Sequence, residues 1–468
     1  MPAISQPIAR DIISDFAEEI SKRKIKSAKP SKTIINFRTD LVDTFERDIV
    51  KVPIEILRFR KDNGRIASDV IDHTNTSGIL DEGDEEVQDL LRKFLKRKDP
   101  EKTEILYKNI LHAGQLDPAI VTCDGFLING NRRKMVMDRL GSDHPNDERF
   151  RYMNVVILPG MEDEGGPPSL LEIEKLENRY QLQSEGKSEY YKFDRALSIR
   201  RKIQIGLSLE DQISDDPQYA GATKAQIDQA IKGIKKNYLD PLDCVDRYLK
   251  QFNRENQYQT VSSGRGDREG RWQAFIDYSN TYNTKFSNQR YLLEKGIEED
   301  EIGDIEEAAF NIIRLRNVPD MPKVHTIMRD LHKYCGTREG KKELMNIPRK
   351  VEPILPIEEL FEDAEQEKPL SRQDIDAKWS AKYKEPITFH LKRASKIYEA
   401  QKEKETPISL LEAALKKLTH KDMDLSSIST GDYDKARELA AEIQKEANEL
   451  EGKIYRQKKN LKKLIRKN

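Results

Sequence analysis

Only 3 cysteines occur in 468 residues, and the wide spacing of Cys123, Cys244 and Cys335 excludes both a disulfide framework and a four-thiolate zinc site within one chain. Apolar sequence is also scarce. Hydrophobic residues make up 36% of the chain against 35% charged, so much of the apolar content is expected on amphipathic helices of an extended, multi-lobed body. No stretch approaches the roughly 18 apolar residues that mark a membrane span. At the N-terminus Asp11, Asp15, Glu18 and Glu19 interrupt the apolar positions where a signal peptide would have its core. A cytoplasmic protein without membrane contact is therefore expected. The chain has no Walker A sequence, no G-x-S-x-G elbow, no H-E-x-x-H and no acidic cluster of two-metal nuclease type. His325, His332 and Cys335 lie near one another but lack a fourth ligand, and read as part of a structural helix rather than as a zinc site. A net charge of −1 leaves nucleic-acid binding open, because the charges are unevenly placed.

Against these absences stands the stretch from Cys123 to Met137. Leu127 and Ile128 fit a buried strand, Gly130 permits a tight turn, and Asn131-Arg132-Arg133 opens a basic helix. Arginine at the positive end of a helix dipole is mildly unfavourable, so an anion there would relieve an electrostatic conflict. Free amides and two guanidiniums form a convergent donor set for phosphate. Upstream, Gly114-Gln115-Leu116-Asp117-Pro118-Ala119-Ile120-Val121 supplies a helix stop, an Asp-Pro turn and a short strand. Further strands are expected at Val52–Leu57 and Arg151–Leu158, and a helix capped by Ser169 carries Leu170, Leu171, Ile173 and Leu176 into Glu177-Asn178.

In these motifs the chain resembles the ParB/sulfiredoxin superfamily over residues 48 to 240. The family's G-x-L-x-P-I-x-V strand entry is matched by GQLDPAIV, with Ala119 in place of isoleucine. Its G-E-R-R turn is matched by GNRR, with Asn131 in place of glutamate. Its E-N-x-Q-R element is matched by Glu177-Asn178-Arg179-Tyr180-Gln181, with the glutamine one place late and Leu182 where an arginine is sought. The resemblance implies a nucleoside triphosphate, CTP or ATP, with phosphates on Gly130, Asn131, Arg132 and Arg133. Glu177 and Asn178 would be oxygen ligands to a bridging Mg²⁺, and Gly114, Gln115, Leu116, Asp117 and Pro118 would line the base or sugar side. Sulfinate reduction of the sulfiredoxin type is disfavoured, since Asn131 and Arg132 stand where its cysteine and histidine would lie. Cys123 reads as a small buried hydrophobe.

The expected fold class is α+β: a small ParB/sulfiredoxin-like α/β domain followed by a large all-α region. The expected divisions are an N-terminal helical arm at 1–47, the nucleotide domain at 48–180, a helix-turn-helix-like segment at 181–250, a helical domain at 251–350, and a linker with C-terminal helices at 351–468. The arm carries the basic patch Lys22 to Lys32, which suits either a packing helix with a solvated linker or a DNA- or partner-binding arm. A helix expected over Thr223 to Tyr238 bears Lys224, Gln226, Lys232, Lys235 and Lys236, the pattern of a recognition helix, with ordinary bundle packing as the alternative. Between 250 and 350, Trp272, Phe275, Tyr278, Tyr282, Phe286 and Tyr291 are interspersed with arginines, which suits a helical core or, as an alternative, base stacking. The tail carries Lys458, Lys459, Lys462 and Lys463 among Ile454, Leu461, Leu464 and Ile465, an amphipathic helix suited to a coiled coil or to phosphate-backbone contact.

Three functions fit these readings. The first is a nucleotide-responsive DNA-binding protein, a homodimer with a role in partition, regulation or defence. The second is a ParB-fold enzyme: an NTPase, nuclease or small-molecule kinase. The third is a non-catalytic scaffold whose helical C-terminal region holds a protein partner.

Overall fold

The computed structural model describes residues 10–35, 37–38, 46–98, 100–182, 192–219, 221–262, 268–363, 368–420 and 423–465. Its first part mixes helix and strand: α1 (Ser14–Arg23), β1 (Ile25–Ile34), β2 (Glu46–Pro53), α2 (Ala67–Ser77), α3 (Glu85–Arg97), α4 (Pro100–Ala113), β3 (Ala119–Val121), β4 (Leu127–Asn129), α5 (Asn131–Asp143), β5 (Tyr152–Ile157) and α6 (Leu170–Leu182). Helices then follow without interruption by the main sheet: α7 (Lys192–Gln204), α8 (Leu209–Ser214), α9 (Lys224–Ile234), α10 (Asp240–Gln251), α11 (Gln259–Ser262), α12 (Arg268–Thr281) and α13 (Gln289–Lys295). The last are α14 (Glu301–Leu315), α15 (Val324–Tyr334), α16 (Arg338–Lys350), α17 (Arg372–Leu418) and α18 (Tyr433–Ile465), with a two-stranded ribbon of β6 (Phe361–Asp363) and β7 (Lys368–Pro369) before α17. The class is α+β, a small mixed sheet followed by a large helical region.

The main sheet has the order β1-β2-β5-β3-β4, with β3 parallel to β5 and the other pairs antiparallel. Alternation along its strands supplies two apolar faces. Ala119, Val121, Leu127, Met153 and Val155 pack with Leu91, Phe94 and Leu95 of α3, Ile110 of α4, and Val136 and Leu140 of α5. Ile120, Ile128 and Val156 point the other way, onto Ile173 and Leu176 of α6. Each fully buried Leu, Ile or Phe contributes roughly 1.5–3 kcal/mol. The short central strands are thus held by helices on both sides.

The N-terminal stretch differs from the expected arm. Among the described residues of this stretch only Ser14–Arg23 is helical, and the basic Ile25–Ile34 segment is an edge strand of the sheet, paired to β2 with a register shift between Lys26 and Ser31. Exposed lysines such as Lys26 and Lys32 on an edge strand are a usual protection against further pairing.

The helical region from Phe193 to Ala394 shares one core, so the expected boundaries near 250 and 350 fall inside it. Trp272, Phe275, Tyr278 and Phe286 lie in that core, with Tyr248 edge-on to Phe275 at 5.2 Å and Phe193 edge-on to Trp272 at 5.3 Å. These aromatics are packing residues. The helix expected to end at Tyr238 instead continues through a π-helical turn, Lys235–Leu239, into α10. Pro241 explains the turn. It has no amide hydrogen to return to the carbonyl four residues back, and the Asn237 carbonyl accepts a hydrogen bond from Trp272 Nε1 at 3.2 Å instead.

Buried polar groups join the sheet region to these helices. Lys98 Nζ reaches Asp69 of α2 at 2.9 Å and Asp194 of α7 at 2.8 Å, while Arg372 of α17 pairs with Asp72 of α2 at 3.0 Å. The compact unit that contains all these pairs ends at Tyr398, and residues 399–468 form a second unit. Among the described residues no helix is long and apolar enough to cross a membrane.

Candidate functional site

Gly130 has φ +96°, and a Cβ built there would lie 2.7 Å from the Cβ of Ala119. Both the left-handed backbone and the close approach of β4 to β3 therefore require glycine. The turn ends β4 and starts α5 immediately at Asn131, and Lys134 N donates to the Gly130 carbonyl at 2.9 Å. No acid occupies the first turn of α5. Its positive end carries the first-turn amides and two arginines instead.

Asn131 is 9% exposed, and its Oδ1 is buried without a hydrogen-bond partner. An orphaned buried amide oxygen costs roughly 1–3 kcal/mol unless a ligand or water completes it. Arg133 is tied across the sheet to the GQLDP loop: Nη1 donates to the Asp117 carbonyl at 2.7 Å, and Nη2 lies 3.8 Å from the Asp117 carboxylate. Burial pulls the Arg133 guanidinium below its ordinary pKa, with Asp117 opposing. A bound anion would relieve that desolvation. Arg132 is half-buried in the same turn. Lys134 is not part of this donor set. It is 3% exposed, pairs with Asp138 at 2.8 Å and sits over the Phe59 ring.

The loop itself is held by Gln115, whose Nε2 donates to the carbonyls of Asp117 and Asn154, both at 2.8 Å, and whose Oε1 accepts from Asn154 N at 2.7 Å. Gly114 stops α4 at φ +74°, Leu116 and Asp117 are exposed, and Pro118 is half-buried. Tyr180 of α6 lies close enough for the Asp117 charge to raise its pKa, behind the larger effect of burial. Gly114 to Pro118 and Gly130 to Arg133 are thus brought together.

Glu177 and Asn178 sit in a different setting. Arg60 Nη1 lies 3.4 Å from Glu177 Oε2 while Nη2 lies 3.3 Å from Glu174 Oε1, and Gly64 N also donates to Glu177 at 3.4 Å. Lys202 Nζ donates to Asn178 Oδ1 at 2.9 Å, Asn178 Nδ2 donates to the Gln212 carbonyl at 3.2 Å, and Arg201 reaches Glu174 at 3.1 Å. Burial works against the Arg60 charge, but Glu177 and Glu174 outweigh it and raise the guanidinium pKa. Burial raises Glu174 and lowers Lys202. As placed, Glu177 and Asn178 answer to protein cations and do not fit a divalent ion. Among the described residues no group of three or more His, Cys, Asp or Glu side chains is arranged to hold a metal.

Arg60, Glu174, Arg201 and Lys202 were not among the sequence candidates. The spacing of Glu174 and Glu177 on α6, beside Ile173 and Leu176 which are 0% and 1% exposed, was the available signal. Cys123 is half-buried, and burial together with the Asp124 carboxylate pushes its thiol up to about 11, unlike an activated nucleophile. Asp124 is itself fixed, accepting from Arg10 Nη1 at 2.8 Å and from Thr122 at 2.6 Å.

The proposed DNA-contacting residues of α9 and the following turn, Lys224, Lys232, Lys235 and Lys236, are exposed, as are Lys458, Lys459, Lys462 and Lys463 of α18. Gln226 has a structural task. Its Oε1 accepts from Thr223 N at 2.8 Å in a capping box. Before α9, α8 is capped by Ser208, and a short 3₁₀ turn, Pro217–Tyr219, lies in the connection.

No protein-family model, curated protein or solved structure matches the chain.

Proposed function

We propose that this is a ParB-like, nucleotide-responsive DNA-binding protein in which the phosphates of CTP or ATP rest on the N-terminus of α5. The observation that carries the reading is the Gly130 turn: it presents Asn131, Arg132 and Arg133 at a helix start with no acid, an orphaned Asn131 oxygen and a desolvated Arg133. The Gly114 to Pro118 loop, joined to Arg133 through Asp117, would flank the base or sugar. Nucleotide would then favour one arrangement of the sheet region and the α8–α9 segment over another, in proportion to its difference in affinity for the two. Replacement of the family's glutamate by Asn131 leaves no carboxylate in the turn, which supports binding rather than rapid hydrolysis. Exposed lysines on α9 and α18 would supply phosphate-backbone contacts, and the C-terminal helices would hold a homodimer. The Mg²⁺ ligation implied for Glu177 and Asn178 requires them to leave Arg60 and Lys202, so no step is assigned to a metal.

Duplex binding tests this directly. The logarithm of affinity is expected to fall with the logarithm of salt concentration, and replacing Lys458, Lys459, Lys462 and Lys463 by glutamine should flatten the slope by about 0.9 for each phosphate no longer neutralised. Addition of CTP or ATP should change the affinity. A slope and affinity unchanged in the quadruple variant, and indifferent to nucleotide, would defeat the DNA half of the reading.

A further inference from the structure

The 33 residues of α18 divide into three consecutive segments of 11: Tyr433–Ile443, Gln444–Ile454 and Tyr455–Ile465. Leucine recurs at the same place in each, as Leu439, Leu450 and Leu461, and isoleucine ends each, as Ile443, Ile454 and Ile465. An 11-residue repeat spans three turns at 3.67 residues per turn, so these positions form one nearly straight stripe instead of drifting around the helix. Alanine joins the stripe in the first two segments, at Ala436 and Ala447, and Lys458 takes that place in the third.

The stripe is bare. Leu439, Ile443, Leu450 and Ile454 are 51%, 45%, 40% and 48% exposed. A helix of this length gains most of its stability from covering such a face, and an open row of this kind marks an interaction surface.

Charge identifies the occupant and its direction. The first segment has three acids (Asp434, Glu438, Glu442) against two bases, and the second has three (Glu446, Glu449, Glu451) against two, so each is net −1. The third has five bases (Arg456, Lys458, Lys459, Lys462, Lys463) and no acid. A parallel pair would set two +5 segments side by side, whereas an antiparallel pair sets each +5 segment along a net acidic one. We infer that α18 pairs with the α18 of a second copy of this chain in antiparallel orientation, centred near Leu450, so that Leu439 of one chain faces Leu461 of the other. Lys459 and Lys463 lie on the helix face away from the stripe and remain open to phosphate.

The inference rests on the homodimer in the proposed function, and is independent of nucleotide binding. It is tested on the full chain by analytical ultracentrifugation together with cysteine cross-linking. The wild type is expected to sediment as a dimer, and Leu450→Glu to raise the dimer dissociation constant at least about 100-fold with unchanged helix content, because a carboxylate enters the apolar seam. Leu439→Cys and Leu461→Cys, each in a Cys123→Ser background, are then mixed and treated with a short bifunctional maleimide. The two positions are about 33 Å apart along one helix, so the reagent reports only pairs between chains. Cross-links of 439 to 461 support the antiparallel pair. Cross-links of 439 to 439 overturn the orientation while leaving the homodimer. A monomer up to about 50 µM overturns both, and a dimer that forms only with added duplex overturns direct α18 pairing.

Discussion

Replacement of Arg60 by methionine is expected to destabilise the protein by about 3–5 kcal/mol at neutral pH, the penalty for leaving buried charge without its partner. Arg60 is 2% exposed and stands between Glu174, 2% exposed, and Glu177, 5% exposed. Methionine fills most of the volume but supplies no donor, and of the neighbouring cations Arg201 stays on Glu174 while Lys202 donates to Asn178. The effect has a pH signature. Burial and the Glu177 charge already raise the pKa of Glu174, so the folded state holds this proton more tightly than the unfolded chain does. The stability associated with that proton is complete below the unfolded carboxyl value and is lost as pH rises through the folded value. Loss of Arg60 raises the folded value further, so the deficit of the variant should be largest near neutral pH and shrink on acidification. Urea unfolding of both proteins across that window measures it. A deficit below about 1 kcal/mol, or one independent of pH, would contradict the assigned network.

Substitution of Gly130 by valine should be nearly as severe and should also remove the ligand. The position requires φ +96°, where a β-branched residue is a steric outlier, and the added Cβ would meet Ala119 Cβ at 2.7 Å and Met153 Cε at 3.3 Å. The backbone term of about 1–2 kcal/mol and an overpacking term of about 1–3 kcal/mol give a loss of roughly 2–5 kcal/mol. Relief of the clash moves the start of α5, and a shift of about 1 Å in a positioned donor set can cost about 100-fold. Gly78→Ala is the control. Gly78 also has positive φ, at +98°, but nothing lies within 4 Å of a Cβ there and it is outside the proposed site, so it should show backbone strain alone and keep nucleotide affinity. Equal nucleotide affinity in Gly130→Val and wild type would remove the turn from the site.

The two strands and turn around Gly130 were legible because apolar alternation, a glycine and a basic helix start coincide within a few residues. The loop at Gly114 to Pro118 was legible from its own helix stop and Asp-Pro turn. Their meeting through Arg133 and Asp117, 16 residues apart, was not legible from local pattern, because tertiary packing selects that pair. The edge strand at Ile25–Ile34 was concealed by lysines such as Lys26 and Lys32, which protect an edge and at the same time imitate a solvated arm. The partners of Glu177 and Asn178 were hidden for another reason: Arg60 and Lys202 lie 117 and 24 residues away and are selected by tertiary packing. The π-helical turn before Pro241 similarly depends on Trp272, whose indole satisfies the carbonyl that proline leaves unmatched.

The central claim is that the α5 N-terminus holds nucleotide phosphate, and calorimetric titration of CTP, ATP and GTP in the presence of Mg²⁺ tests it most directly. The wild type is expected to bind CTP or ATP, and Arg132→Ala/Arg133→Ala, with its fold verified by circular dichroism, to bind at least about 100-fold more weakly. Folded wild type that binds none of the three nucleotides, or a double variant that binds as the wild type does, would contradict the account.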